Sequence, residues 1–91
     1  MTPKAVDTNQ AEIVAGLRDI GASVCDLHEV GVGCPDLLVG FRGVNWLLEV
    51  KAPGCARRLT RMQVEWLEAW RGQAAVVTML DDALRFIGAI A

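Results

Sequence analysis

An aspartate, a glutamate and a lysine lie within the mostly apolar segment GCPDLLVGFRGVNWLLEVKAPG, residues 33–54. Asp36 is near its start, and Glu49 and Lys51 are near its end. Adjacent carboxylates repel and raise each other's pKa unless a cation lies between them. Mg²⁺ accepts one or two carboxylates together with water and phosphate oxygens. Such an ion polarises a phosphate and acidifies bound water, while an ammonium stabilises developing charge. The three residue types therefore suit phosphodiester hydrolysis.

A two-residue hairpin turn at Arg42-Gly43 would bring the two acids together. Asp36 lies six residues before Arg42, and Glu49 lies six residues after Gly43, so the two are opposite each other in an antiparallel hairpin. Opposite side chains share a face with Cβ atoms ~4.5–5.5 Å apart. Lys51, two residues beyond Glu49, shares that face. A solvated salt-bridge cluster is the alternative, and spacing alone favours that alternative.

The hydrophobic pattern predicts seven elements in the order α-β-β-β-α-β-α. The predicted helices span 8–20, 61–71 and 81–90, and the predicted strands span 22–27, 36–41, 44–51 and 74–80. The β-α-β unit formed by the last two strands and the second helix implies a parallel crossover. We therefore expect an α/β fold with a mixed four-stranded sheet flanked by helices on both faces, forming a single domain over residues 1–91.

Each of the first two helices has a predicted cap and a predicted apolar stripe. Asp7 with Gln10, and Thr60 with Gln63, match capping boxes or a variant of them. The stripes expected to face the sheet are Ile13, Val14, Leu17 and Ile20 in the first helix, and Leu59, Met62, Trp66, Leu67 and Trp70 in the second. The tryptophans are expected in the core or at a dimer interface.

Composition excludes several classes of protein. The chain has 91 residues and a net charge of −2, with 53% hydrophobic residues, which leaves apolar surface for a second copy. No apolar run approaches the ~20 residues of a membrane span, and no signal peptide is evident, so we expect a cytoplasmic protein. Three cysteines without a CxxC pair argue against a disulfide framework or a zinc site. A local basic patch comprises Lys51, Arg57, Arg58 and Arg61.

Four segments resemble the core of the PD-(D/E)XK nuclease superfamily. They are NQAEIVAGLRDIGASV, GCPDLLVGF, NWLLEVKAPG and RLTRMQVEWLEAW, which together cover most of the chain. The resemblance is to the VRR-NUC (virus-type replication-repair nuclease) family, in the small stand-alone form typical of bacteriophages. It implies the predicted restriction-endonuclease-like core, and a host-cell cytoplasmic location for a phage-encoded chain.

The resemblance also implies roles for individual residues. Asp36 and Glu49 would be ligands of Mg²⁺ or Mn²⁺, with the main-chain carbonyl of Val50 as a third ligand, and Lys51 would be the catalytic lysine. Gln63 matches a family glutamine that would hold the scissile phosphate or a water, although its capping role explains it equally well.

Related Holliday-junction resolvases carry a glutamate eleven residues before the glycine that ends the first helix. Counting back from Gly21 gives Gln10, an amide that either reaches the metal's water shell or only caps the helix. Glu12 is a weaker substitute because it points to another side. As nucleic-acid contacts, Arg57, Arg58 and Arg61 would position DNA without reading its sequence; a solvated loop is the alternative.

The predicted function is thus a Mg²⁺- or Mn²⁺-dependent deoxyribonuclease that cuts branched DNA such as Holliday junctions as a homodimer. It would need no small-molecule cofactor and no membrane. The branch preference rests on the resemblance alone. The alternatives are a catalytically inactive DNA-binding or protein-interaction module on the same fold, and a nuclease of linear duplex or single strands.

Overall fold

The computed structural model describes the main chain of residues 5–91 and the side chains of residues 8–91. Three helices and four strands follow in the predicted order. They are α1 (Ala5–Asp19), β1 (Ser23–Asp26), β2 (Leu37–Phe41), β3 (Val44–Val50), α2 (Arg61–Ala69), β4 (Ala74–Val77) and α3 (Leu80–Phe86). Within this described part, every helix is too short or too polar to span a membrane.

The four strands form one mixed sheet in the order β1-β2-β3-β4. β1 and β3 both pair antiparallel with β2, and β4 pairs parallel with β3. Arg42 and Gly43 connect β2 to β3, and both have positive φ angles, 52° and 79°, as a type I′ turn requires. Phe41 pairs with Val44, and Leu37 pairs with Leu48. The predicted hairpin register is therefore confirmed.

One face of the sheet, which we call the core face, packs against α1 and α3. On β2 and β3 this face carries Leu37, Val39, Leu48 and Val50, all of which are buried. They form one apolar cluster with residues of α1 and with residues at the C-terminal end of the chain. These partners are Ile13, Leu17, Ala83, Leu84 and Ile87. Side chains on a strand alternate between faces, so Asp36, Leu38, Leu47 and Glu49 lie on the opposite face, which we call the site face.

Helix α2 lies on the site face and covers it thinly. The predicted capping box is present, but the prediction that its apolar stripe is buried is wrong, because α2 has no buried residue. Met62 is 52% exposed and Trp70 is 46% exposed. The Trp66 and Trp70 rings stack with centroids 4.6 Å apart. The two rings therefore shield part of each other's surface.

The ends of several elements differ from the prediction. Helix α1 begins at Ala5 rather than at residue 8, and Ile20 lies beyond its end and is exposed. The predicted cap by Asp7 rests on a side chain outside the described ones. Strand β4 ends at Val77, because the next residue, Thr78, donates hydrogen bonds from its main-chain N and its Oγ1 to Asp82 Oδ2, both 3.2 Å long.

Candidate active site

The hairpin places the two predicted acids next to each other at the end of β2 and β3. The register continues one step beyond the Leu37–Leu48 pair, which sets Asp36 opposite Glu49. Asp36 Oδ2 accepts a hydrogen bond of 2.8 Å from the main-chain N of Val50, and this contact fixes its carboxyl group. Glu49 is 3% exposed and is the one charged residue buried among the described side chains.

The buried position of Glu49 changes its protonation. Burial, followed by a side-chain hydrogen bond with Asp36 and by the charge of Asp36, raises the pKa of Glu49 to about 8, while Lys51 opposes the shift. Without a bound cation, Glu49 therefore keeps its proton at neutral pH. The proton relieves the repulsion that a bound cation would otherwise relieve.

Lys51 completes the predicted set, and hydrogen bonds fix both its side-chain ammonium and its main-chain N–H. Its Nζ lies 3.8 Å from Glu49 Oε2 and donates a hydrogen bond of 2.9 Å to Gln63 Oε1. Its main-chain N donates to the carbonyl of Val77 over 3.0 Å. The ammonium is therefore held beside the acid pair, and most of its side chain is shielded from solvent.

Gln63 acts in the helix cap and in the site through one atom. Its Oε1 accepts from Lys51 Nζ and from the main-chain N of Thr60, each over 2.9 Å. Its own main-chain N donates to Thr60 Oγ1 over 3.2 Å. The capping role is therefore confirmed, and the contact with Lys51, which the sequence did not predict, uses the same oxygen. Because the oxygen is used twice, the part of Gln63 that can bind a phosphate or a water is its NH₂ group.

A cavity of about 450 Å³ connects these groups. Its lining residues are Gln10, Asp26, His28, Asp36, Glu49, Val50, Lys51 and Gln63. The structure therefore brings together all the residues predicted for metal binding and catalysis, including Gln10 on α1. Glu12, the weaker substitute, is exposed and does not line this cavity.

The predicted arginines lie outside the cavity lining. Arg57 and Arg58 are exposed in the loop before α2. Arg61 is exposed as well, and its Nε is 3.0 Å from Glu65 Oε1, the i,i+4 pair expected from their spacing on the helix. The three arginines therefore do not contribute to the lining of the cavity that holds the acid pair.

Asn9 positions the site, and the sequence reasoning missed it. Its Nδ2 donates to the carbonyl of Lys51 over 2.9 Å and to the carbonyl of Thr78 over 2.7 Å. These bonds join α1 to the ends of β3 and β4. The available signal was an asparagine inside a helix, where its propensity is low and its side chain often serves another purpose.

Asp26 and His28 are the other residues that the sequence reasoning did not assign to the site. Both line the cavity, at the end of β1 and just after it. The signal was a D-x-H spacing across the end of a predicted strand. The spacing has no functional meaning until the fold shows that β1 ends beside Asp36.

The donor set fits a hard divalent cation. Within residues 8–91, no group of three or more His, Cys, Asp or Glu side chains could hold a metal ion. The predicted site has a different composition: two carboxylates and the main-chain carbonyl of Val50, with water and phosphate oxygens to complete the coordination, as Mg²⁺ prefers. The buried carboxyl of Glu49, which otherwise needs a proton, is the observation that favours a cation here.

Comparison of the chain with protein-family models, with curated proteins and with solved structures finds no match. The chemistry of the cavity residues is therefore the structural basis for a functional assignment.

Proposed function

We propose that this chain is a metal-dependent endonuclease that hydrolyses phosphodiester bonds in DNA. The observation that carries the proposal is the acid pair. A buried glutamate is set against an aspartate, with a lysine ammonium 3.8 Å from it, on the wall of an open cavity. Burying charged groups is unfavourable, so this arrangement suggests use in chemistry more than use in stability.

The acid pair would hold the cation. Asp36, Glu49 and the main-chain carbonyl of Val50 would bind Mg²⁺ or Mn²⁺, which when bound polarises the phosphate and lowers the pKa of water. The Val50 N–H occupies one oxygen of Asp36, so this carboxylate keeps its other oxygen for a ligand. Residues of the hairpin alone would therefore supply the protein's share of the coordination.

The ammonium of Lys51 would stabilise charge that develops on the phosphate oxygens. Gln63 keeps this ammonium in place through its Oε1 and can offer its NH₂ group to the same phosphate. Gln10 lines the cavity from α1 and can donate to a water or to a phosphate oxygen. Positioning by residues that are themselves fixed is what makes such groups effective.

Branched DNA is the proposed substrate, and a homodimer is the proposed active form. Both follow from the resemblance to the stand-alone VRR-NUC family. Two symmetric cuts across a junction need two sites, because each site cleaves one strand. The outer surface of α2 supports a second copy, since Met62 and Trp70 leave apolar area exposed there.

A cleavage assay tests the enzyme proposal. A labelled four-way junction is incubated with the protein in Mg²⁺, in Mn²⁺ or in EDTA. We expect cleavage only with the metals, and its loss in Asp36→Ala and Lys51→Ala. Glu68→Ala, which removes an exposed carboxylate of α2, is the control and should cut as wild type does. Cutting in EDTA, or unchanged cutting by both site variants, would remove the assignment.

The non-catalytic alternative has one observation in its favour. The proton that Glu49 keeps at neutral pH already makes the Asp36–Glu49 pair compatible with the fold without a metal. A DNA-binding or protein-interaction module would bind the junction equally well in EDTA and would not cut it. A panel of linear duplex, single-stranded and four-way substrates in the same assay separates a general nuclease from a branch-specific one.

A further inference from the structure

The cavity contains a second hydrogen-bonded pair that the proposed hydrolysis does not use. Asp26 Oδ1 accepts from the main-chain N of His28 over 2.8 Å and lies 2.9 Å from His28 Nδ1. A proton on Nδ1 makes this second contact a hydrogen bond. The ring is thereby oriented, and its Nε2 is available on the side away from Asp26. The nearest acid to Nε2 is Glu29, whose Oε1 is 4.0 Å away.

The pair has little structural purpose. The His28 side chain is 66% exposed, and that of Asp26 is more than half exposed. Exposed ion pairs contribute little to stability, because solvent screens them and ordering the side chains costs entropy. The imidazole is nevertheless held in one orientation at a cavity that also contains Lys51 and Glu49.

We propose that His28, oriented by Asp26, binds a phosphate of the DNA strand that enters the cavity. The inference rests on the proposed function and extends it by a substrate contact. The cavity is lined by three carboxyl groups, Asp26, Asp36 and Glu49, and by one ammonium, Lys51. The proposed cation would offset the charges of Asp36 and Glu49, which leaves Asp26 and Lys51 as the other charged side chains of the lining, so a further positive group would favour the entry of a polyanion. An imidazolium N–H to a phosphate oxygen is a charge-assisted hydrogen bond. Asp26 is the positioning residue.

The surroundings favour the charged form of the ring. The hydrogen bond with Asp26, followed by the charge of Asp26, raises the pKa of His28 above its ordinary value; burial opposes this, and Glu29 and Asp36 add to the rise. These are the acids that face His28 from β1, from its own turn and from β2, and Lys51 and Glu49 lie across the cavity. The imidazolium is therefore present at pH 6, below the ordinary pKa of histidine, and is lost as the pH rises through the raised pKa of His28.

DNA binding at two pH values tests the contact. Binding of a labelled four-way junction is measured over a range of salt concentrations in Ca²⁺, with a denaturing gel to verify that the DNA is intact. At pH 6 and about 0.1 M salt, we expect His28→Gln to bind about 5–10-fold more weakly. The slope of log affinity against log salt should decrease by about 0.9, the value for one lost phosphate contact. At pH 8.5 the variant should match wild type.

Two further variants separate charge from structure. His28→Lys retains a cation and should keep the wild-type salt slope at pH 6. At pH 8.5 the salt slope of this variant should be steeper than that of the wild-type protein. Glu29→Gln removes the neighbouring charge without altering the cavity lining, and should bind no more weakly than wild type. A salt slope for His28→Gln equal to that of wild type at pH 6 would overturn the proposal. Equal weakening at both pH values would also overturn it, because it would indicate a structural role.

The role of Asp26 has its own readout. His28 is the single histidine of the chain, so one imidazole NMR signal reports its titration without assignment. In Asp26→Asn the pKa of His28 should fall towards its ordinary value. The contribution of His28 to the salt slope should then disappear at a lower pH than it does in the wild-type protein. An unchanged titration would remove Asp26 from the proposal.

The outcomes distinguish the two proposals. A wild-type protein that binds and cuts DNA, together with a His28→Gln variant of unchanged salt slope, contradicts only the phosphate contact. A wild-type protein that binds DNA without cutting it in Mg²⁺ or Mn²⁺ contradicts the nuclease, while the His28 result still decides the contact. A wild-type protein that does not bind DNA contradicts both.

Discussion

The two faces of the β2–β3 hairpin carry opposite chemistry, although alternate residues of the same strands build them. Leu48 lies on the core face and is fully buried among aliphatic side chains from α1 and the C-terminal end of the chain. Glu49, the next residue, points the other way and is almost as buried, but against a carboxyl group. Burial by itself therefore does not separate structure from function here; the chemistry of the neighbours does.

Substitutions of the adjacent residues Leu48 and Glu49 should therefore affect different properties of the protein. The largest expected effect is on the cleavage rate. Glu49→Gln removes a proposed metal ligand while keeping the shape of the side chain. We expect junction cleavage to fall by at least about 10³-fold, in line with the loss of a group that stabilises transition-state charge, with the fold retained. The measurement is the single-turnover rate in Mn²⁺ alongside circular dichroism. Retention of more than a tenth of the wild-type rate would contradict the role of Glu49.

On the core face the expected effect is on folding. Leu48→Ala leaves a cavity among close-packed side chains, and such changes cost about 2–5 kcal/mol in the free energy of unfolding. Denaturation in urea measures it. The matched control is Val44→Ala on the same strand, whose side chain is exposed and whose replacement should cost much less. Equal losses for both variants would show that the core face is not what holds the sheet.

The site face should make the stability of the protein depend on pH, because it carries the buried Glu49. Glu49 has its pKa raised from 4.5 to about 8 in the folded protein. Between these values the folded chain binds more protons than the unfolded chain, so the metal-free protein loses stability as pH rises, by up to about 1.4 kcal/mol per pH unit.

Glu49→Gln should flatten this profile and melt at a higher temperature than wild type at pH 8.5, by at least ~4 °C. Scanning calorimetry in EDTA from pH 5 to pH 8.5 measures both. A wild-type protein whose stability does not fall over this range would show that Glu49 titrates normally.

The connection between the two faces depends on Asn9. Asn9→Ala removes two hydrogen bonds to main-chain carbonyls at the ends of β3 and β4. The expected loss is about 1–3 kcal/mol, the cost of leaving partly buried acceptors unpaired, with weaker cleavage because Lys51 is less well fixed. Thr8→Ala, at the exposed neighbouring position, is the control and should change neither quantity.

The smallest effect is expected on α2, where the site face meets solvent. Met62→Ser replaces a side chain that is about half exposed and should change the monomer's stability by less than about 0.5 kcal/mol. If a second copy covers this helix, the same variant weakens association instead, which sedimentation at several concentrations would detect. A large loss of stability at low concentration would show that α2 packs more tightly than described.

The sequence predicts the hairpin and its acid pair well because both follow from local rules. The Arg42-Gly43 turn sets the register, and the register alone brings Asp36 and Glu49 together. The Thr60–Gln63 capping box is also local and is also correct. The contact between Gln63 and Lys51 depends instead on how α2 returns over the sheet, which no spacing in the sequence encodes.

Other parts of the site could not be predicted for the same reason. Asn9 reaches carbonyls 42 and 69 residues away in the chain. Asp26 and His28 enter the cavity only because β1 ends beside β2. The burial of the apolar stripe of α2 was predicted wrongly. Helical periodicity shows which residues share one face of a helix, but it does not show whether the sheet covers that face.

We propose above all that Asp36 and Glu49 hold one divalent cation in place of the proton that Glu49 otherwise carries. Calorimetric titration of Mn²⁺ into the metal-free protein at pH 7, in two buffers of different ionisation enthalpy, measures both binding and proton release. We predict one ion per chain, release of about one proton as the raised pKa of Glu49 requires, and loss of binding in Asp36→Asn and Glu49→Gln. The account would be contradicted by absence of binding, by binding that both variants retain, or by binding without proton release.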